Sequence, residues 1–149
     1  MPFVEPQYLQ TLKVISTNKV EIESEKMFAI NKRLAEASDS LNTLEKYRND
    51  YLKRLADDLQ SGLSSKNYIN YQTFLQKLED AIIGQKMQLQ KLTDELKIQM
   101  TIWQQSQRTK LSYEVISNNS EKQFHQLEAK KDQKLMDEFA TRSTRFTHQ

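Results

Sequence analysis

Two long heptad repeats, separated by one short stretch of helix-breaking residues, constrain this chain more than any other feature. In a heptad repeat, apolar residues recur at alternating steps of four and three and form a narrow stripe along one side of a helix. The first frame runs from Leu9 to Leu55, and ten of its fourteen positions are apolar. The second runs from Tyr68 to Trp103, and nine of its eleven positions are apolar. Such stripes predict two helices that pack along one another in a left-handed supercoil.

The individual positions follow from these steps. The first frame comprises Leu9, Lys13, Ser16, Val20, Glu23, Met27, Ile30, Leu34, Ala37, Leu41, Leu44, Arg48, Tyr51 and Leu55. The second comprises Tyr68, Tyr71, Leu75, Leu78, Ile82, Gln85, Leu89, Leu92, Leu96, Gln99 and Trp103. It continues, with fewer apolar residues, through Ser106, Lys110, Tyr113, Ser117, Ser120, Phe124 and Leu127.

The residues between the two frames predict a chain reversal. Gly62 suits the left-handed conformation that ends helices, and Ser64 or Ser65 can cap the next helix. Pro6 is tolerated in a first helical turn. We therefore expect a first helix over about 7–59, a turn over 60–66, a second helix over about 67–142 and a frayed tail over 143–149. The predicted fold is all-α: a single coiled-coil domain over 1–149, built as a long two-helix antiparallel hairpin whose second helix overhangs at the C-terminus.

Composition excludes several classes of protein. The 22 basic and 20 acidic side chains leave a net charge of +2, which gives little reason to expect nucleic acid as a partner. There is no cysteine, so disulfides and thiolate metal sites are excluded. No apolar run approaches the roughly 20 residues that span a bilayer, so direct membrane insertion is not expected. The stretch 1–6 lacks the features of a signal peptide, which predicts a cytoplasmic location.

The sequence offers no plausible catalytic or metal site. His125 and His148 lie 23 residues apart, without a carboxylate or serine at a spacing that suggests a triad. The carboxylates are spread over helix surfaces, whereas paired-carboxylate catalysis needs a cleft. We expect both histidines to be solvated surface residues, and we expect no enzymatic activity and no cofactor.

Apolar residues outside the seam are more informative. Phe74 flanks the second frame, Ala81 follows it one heptad later, and Tyr47 flanks the first frame. Antiparallel pairing brings these residues together near the hairpin tip. An exposed aromatic patch is typical of a binding hot spot. The alternative is that Phe74 and Tyr47 only widen the seam, and the pattern alone favours neither interpretation.

At this patch the sequence resembles a known family. The runs YRNDY at 47–51, YINYQTFLQKLEDAI at 68–82 and KDQKLMDEFA at 131–140 are similar to those of the flagellar protein export component FliJ. The length and the hairpin plan fit over the whole chain, whereas the first forty residues match more loosely.

The resemblance implies a non-catalytic part of the bacterial flagellar type III export apparatus, peripherally associated with the inner membrane at the flagellar base. It implies a stalk that promotes assembly of the export ATPase hexamer, contacts the cytoplasmic domain of the membrane export gate and escorts empty export chaperones. The gate-binding residues that it implies are Leu44, Tyr47, Tyr51, Phe74, Leu78 and Ala81. The end that engages the ATPase ring is expected at Met136, Asp137, Glu138 and Phe139. Ser40 and Gln85 depart from the family pattern at the edges of the gate-binding patch.

Two alternatives remain at this point. The chain can be the equivalent stalk of a virulence injectisome, which shares size and architecture. It can also be a general holding chaperone for export substrates, which predicts exposed seam residues and a largely unfolded free protein.

Overall fold

The computed structural model describes residues 6–147 of the chain. It contains two helices, α1 (Pro6–Ser61) and α2 (Ser65–Thr147), and no strand within this range. The helices pack against each other in antiparallel directions, which confirms the predicted all-α hairpin. None of the helical segments within 6–147 has the length and apolarity needed to cross a membrane. The expectations for the first five residues and for His148 lie outside the described residues.

The turn is built from the residues that the sequence pattern indicated. Gly62 has a φ of 97°, the left-handed conformation that favours glycine after a helix. Ser64 caps the second helix, because its side-chain oxygen accepts a hydrogen bond from the Asn67 N–H at 3.3 Å. The backbone N–H of Tyr68 donates to the Ser64 carbonyl at 3.0 Å, which closes the first turn. Ser64 is therefore the cap, and α2 begins at Ser65.

The helix ends differ from the predicted bounds by a few residues. The first helix continues through Gln60 and Ser61, because nothing opposes helical geometry before Gly62. The second helix begins two residues earlier than predicted because of the Ser64 cap. At its other end it continues to Thr147, so the described part of the expected frayed tail is helical.

The seam follows the heptad frames closely. All fourteen positions of the first frame are buried or half-buried. In the second frame this holds for every position except Tyr68, which lies beside the turn. The polar positions of the frames are buried as well: Glu23 and Gln99 lie in the seam with little exposed surface. The apolar spacing therefore fixes the orientation of both helices even where the side chain is polar.

Three contacts define the pairing of the helices. The Gln99 side-chain amide donates to the Glu23 carbonyl oxygen at 3.1 Å, and the Gln85 amide donates to the Ala37 carbonyl oxygen at 3.1 Å. The rings of Tyr51 and Tyr71 lie 5.0 Å apart. Glu23, Ala37 and Tyr51 follow one another at two-heptad steps along α1. Their partners Gln99, Gln85 and Tyr71 follow at the same steps in the opposite direction along α2. The register is that of an antiparallel coiled coil.

The chain divides between Glu21 and Ile22, and again between Trp103 and Gln104, into two compact units. The hairpin unit contains the turn and the helical segments that flank it, and its seam is mainly apolar. The terminal unit pairs the beginning of α1 with the later part of α2. In this unit every described residue of α2 from Glu121 to Arg145 is exposed, so the predicted overhang begins at Glu121.

The two glycines predict opposite responses to alanine. Gly62→Ala places a side chain at positive φ, and we expect it to lower the free energy of unfolding by about 1–2 kcal/mol. Gly84→Ala lies within α2, where an added Cβ meets no atom within 4 Å, and we expect a gain of about 0.5–1 kcal/mol. Urea unfolding followed by circular dichroism measures both. A gain in stability from Gly62→Ala would contradict the assigned turn.

Candidate partner-binding surfaces

The aromatic residues near the turn form a shallow cleft in the hairpin unit. This aromatic cleft has a volume of about 390 Å³ and is lined by Tyr47, Asp50, Tyr51, Arg54 and Phe74. α1 supplies four of these side chains and α2 supplies the phenylalanine. The antiparallel pairing therefore builds a single surface from residues that are distant in sequence.

Tyr51 is the centre of the aromatic cluster. Its ring lies 4.4 Å from that of Phe74, at an interplanar angle of 42°, and 5.0 Å from that of Tyr71. Such tilted contacts stabilise aromatic pairs beyond the area that they bury. The Tyr71 hydroxyl donates a hydrogen bond to Asp58, which raises the pKa of Tyr71. The hydrogen bond to Asp58 holds the Tyr71 ring in place at the inner side of the cluster.

The structure supports both interpretations of Phe74, namely that it widens the seam and that it offers surface to a partner. Its ring packs on Tyr51 and so widens the seam, yet 43% of the residue remains exposed. Tyr47 is more exposed still. The two residues offer apolar surface that the hairpin itself does not cover.

The remaining gate-binding candidates lie in different environments. Leu44 is half-buried in the seam, and Ala81 is exposed. Leu78 is only 8% exposed, so its side chain supports the seam and presents little surface to a partner. Of the two positions that depart from the family pattern, Ser40 is exposed and Gln85 is a seam residue that bonds to α1. The structure thus brings Tyr47, Tyr51 and Phe74 into one cleft and leaves Leu78 beneath the surface.

The sequence pattern did not identify Asp50 and Arg54 as residues of the aromatic cleft. They follow Tyr47 by three and seven positions, so helical periodicity places them on the same side of α1. That spacing was the available signal. The two residues add a carboxylate and a guanidinium to an otherwise aromatic surface, and a partner that enters the cleft meets both charges.

A second exposed surface lies on the overhang of α2 in the terminal unit. Met136 and Phe139 are both largely exposed, as is the neighbouring Leu135. Asp137 and Glu138 lie between them and are also exposed. We call these five residues the C-terminal surface. Large apolar side chains on an unpaired helical segment are typical of a surface that a partner covers.

The histidine that the structure describes has an ordinary surface environment. His125 is exposed, and its ring lies 6.1 Å from that of Phe124 in an edge-on contact. Among the described residues, no group of three or more histidine, aspartate or glutamate side chains is placed to hold a metal ion.

Comparison with known proteins gives one consistent result. A family model described as "Flagellar FliJ protein" matches residues 6–146. The chain belongs to the flagellar FliJ family. It is 30% identical over 135 residues to the flagellar FliJ protein of Escherichia coli (strain K12), which covers 91% of this chain and 92% of that protein. It is 29% identical to the flagellar FliJ protein of Salmonella typhi over the same number of residues and with the same coverage.

The FliJ match confirms the resemblance that the sequence runs indicated. The matched range contains both the aromatic cleft and the C-terminal surface. It also contains residues 6–40, where the sequence runs were least informative.

Proposed function

We propose that this chain is a non-catalytic stalk of the flagellar type III export apparatus. In this proposal it promotes assembly of the export ATPase hexamer, couples the hexamer to the cytoplasmic domain of the membrane export gate and escorts empty export chaperones. It acts in the cytoplasm, peripherally associated with the inner membrane at the flagellar base. Membership of the flagellar FliJ family supports a place in the export apparatus. The roles at the gate and at the ATPase rest on the two exposed surfaces, and the escort of chaperones rests on the family resemblance alone.

One observation carries the proposal most directly: the chain presents two apolar surfaces, and they belong to different compact units. The aromatic cleft lies in the hairpin unit and the C-terminal surface in the terminal unit. Phe74 and Met136 are separated by 62 positions within α2. A chain with two such surfaces is suited to bind two partners at once, as a coupling protein must.

The aromatic cleft is the better candidate for the gate. Binding hot spots are enriched in tyrosine and other large side chains that are partly exposed and locally well packed. Tyr47 and Phe74 have this character, and Tyr51 holds the Phe74 ring from below. The cleft is therefore preorganised, so a partner does not have to order these rings on binding.

The C-terminal surface is the better candidate for the ATPase ring. Its apolar residues lie on a helical segment that makes no seam contact, so they are free to enter a partner's cavity. Asp137 and Glu138 are exposed beside them and are available for charged contacts with the same partner.

The holding-chaperone alternative is less well supported. It predicted exposed seam residues, whereas the seam of α1 is buried or half-buried from Leu9 to Leu55. The injectisome alternative is likewise less well supported, because the relatives from Escherichia coli and Salmonella typhi are both flagellar proteins.

Adding the protein to the matching export ATPase tests the proposal. We expect a saturable rise in ATP hydrolysis and in the fraction of hexamer, measured by phosphate release and by analytical ultracentrifugation. The Phe139→Asp variant is expected to lose most of this effect. Leu111→Asp is the matched control, since Leu111 is also exposed in the terminal unit but lies outside the C-terminal surface. No rise at saturating wild-type protein would overturn the proposed stalk function.

A further inference from the structure

The beginning of α1 carries a second heptad frame that the seam does not use. The seam frame here is Leu9, Lys13, Ser16, Val20 and Glu23, in which only two residues are apolar. The outer frame, displaced by one residue, is Tyr8, Leu12, Ile15, Lys19 and Ile22, in which four are apolar. Over these turns the face that packs in the seam is thus less apolar than the face beside it.

In this segment the buried residues belong to the seam frame, which is the more polar of the two frames. Ser16 is 5% exposed, whereas its neighbour Ile15 is 59% exposed, and Tyr8 is 63% exposed. Burying serine while exposing isoleucine reverses the usual preference, because transfer of apolar surface out of water is what stabilises a seam. Such a local conflict between pattern and packing is a common mark of a segment with more than one arrangement.

The opposite side of this seam also contains several polar residues. The pairing register places Ser16 opposite Ser106, which is only 4% exposed, and Ser117 and Ser120 continue the seam of α2. Ser117 and Ser120, but not Ser16 or Ser106, line a cavity of about 400 Å³ beside the first turn of α1. Its lining residues are Leu9, Gln10, Ser117, Ser120, Glu121, Phe124 and His125. The terminal unit therefore has an unused apolar face on α1 beside a seam on α2 in which Ser106, Lys110, Ser117 and Ser120 are polar.

Only in the first turns of α1 are both frames able to pack against α2. Further along, Met27, Ile30 and Leu34 make the seam frame apolar, and the outer frame there has Lys26 and Arg33 at two of three positions. One extra residue in a single helical turn, of the kind seen in π-bulges, is enough to move from one frame to the other. It rotates the preceding turns by about 100°.

We propose that the beginning of α1 exchanges between two packings in the terminal unit. In one, the seam frame faces α2. In the other, this segment is rotated by one residue, so that Tyr8, Leu12 and Ile15 face the seam of α2 around Ser106, Lys110 and Tyr113. The exchange is a two-state element built into the fold, because each packing satisfies one frame and exposes the other.

Engineered disulfides distinguish the two packings, since the chain has no cysteine of its own. A disulfide needs Cβ atoms about 3.5–4.5 Å apart, so adjacent residues on one helix do not satisfy it equally. The Ser16→Cys/Ser106→Cys pair reports the seam packing, and the Ile15→Cys/Ser106→Cys pair reports the rotated packing. The matched controls, Ile30→Cys/Leu92→Cys and Ala29→Cys/Leu92→Cys, lie two heptads further along, where only the seam packing is expected.

The full-length variants are oxidised under one condition and the disulfides are identified by peptide mapping. We expect the Ile15 pair to form at roughly 1–10% of the rate of the Ser16 pair, and the Ala29 pair at least about tenfold more slowly than the Ile15 pair. Lys19→Leu adds an apolar residue to the outer frame. It is expected to raise the rate of disulfide formation by the Ile15→Cys/Ser106→Cys pair several-fold. Lys32→Leu, at an exposed position in neither frame, is expected to leave it unchanged.

Two results would overturn the proposal. One is that the Ile15→Cys/Ser106→Cys disulfide forms no faster than the Ala29→Cys/Leu92→Cys disulfide and that Lys19→Leu does not change its rate of formation. The other is failure of the Ser16 pair to form at all in a protein of normal helix content, because that would remove the seam packing itself.

Discussion

Removing the residues after Lys131 is expected to abolish stimulation of the export ATPase while leaving the affinity for the export gate within about twofold of the full chain. The deleted segment includes the whole C-terminal surface. Its described side chains are exposed, so the truncation removes no seam contact and the paired helices should remain folded. ATP hydrolysis and binding to the isolated cytoplasmic domain of the gate, measured on the same preparation, check this prediction.

A shorter truncation is the matched control. Removing only the residues after Arg142 keeps Leu135, Met136 and Phe139, and it should leave ATPase stimulation nearly intact. If the two truncations behaved alike, the C-terminal surface would not be the part that engages the ring.

Replacing Tyr47 and Phe74 together with alanine is expected to weaken gate binding by about 30-fold or more, since a central aromatic anchor commonly contributes about 2 kcal/mol. Part of the Phe74 ring packs on Tyr51, so we also expect a loss of about 1 kcal/mol in unfolding free energy. Titration calorimetry measures the affinity, and circular dichroism shows that the helix content is kept.

The control for this pair is Ile83→Ala. Ile83 is exposed in the hairpin unit but does not line the aromatic cleft, so its truncation should change gate affinity by less than about threefold. Equal losses for Ile83→Ala and for the double variant would show that the cleft has no special role.

Much of the fold follows from the spacing of apolar residues. A stripe with period 3.5 marks the side of a helix that faces its partner, so the frames from Leu9 to Leu55 and from Tyr71 to Trp103 predicted the buried positions. Gly62 was predictable as the reversal because few other residues tolerate positive φ. The helix ends were not predictable to the residue, because Gln60 and Ser61 have no strong preference and the capping role of Ser64 depends on the turn geometry.

Periodicity alone did not predict the hydrogen bonds that the polar residues of the seam make. A frame counts apolar residues and treats Gln85 and Gln99 as interruptions, whereas both side-chain amides donate to main-chain carbonyls of α1. The heptad frame predicted the burial of Leu78, whereas the family resemblance counted it among the gate-binding residues, because a position in a family motif does not reveal how much surface the side chain keeps. Asp50 and Arg54 were missed because a heptad pattern registers apolar residues and passes over charged ones.

The assignment of two partners to two separate surfaces is tested most directly by one measurement: stimulation of the export ATPase by the Tyr47→Ala/Phe74→Ala variant. This variant changes only the aromatic cleft in the hairpin unit and leaves the C-terminal surface intact. We predict stimulation equal to that of the wild-type protein from a variant whose affinity for the gate is lowered by about 30-fold or more. Loss of stimulation with unchanged helix content would contradict the assignment.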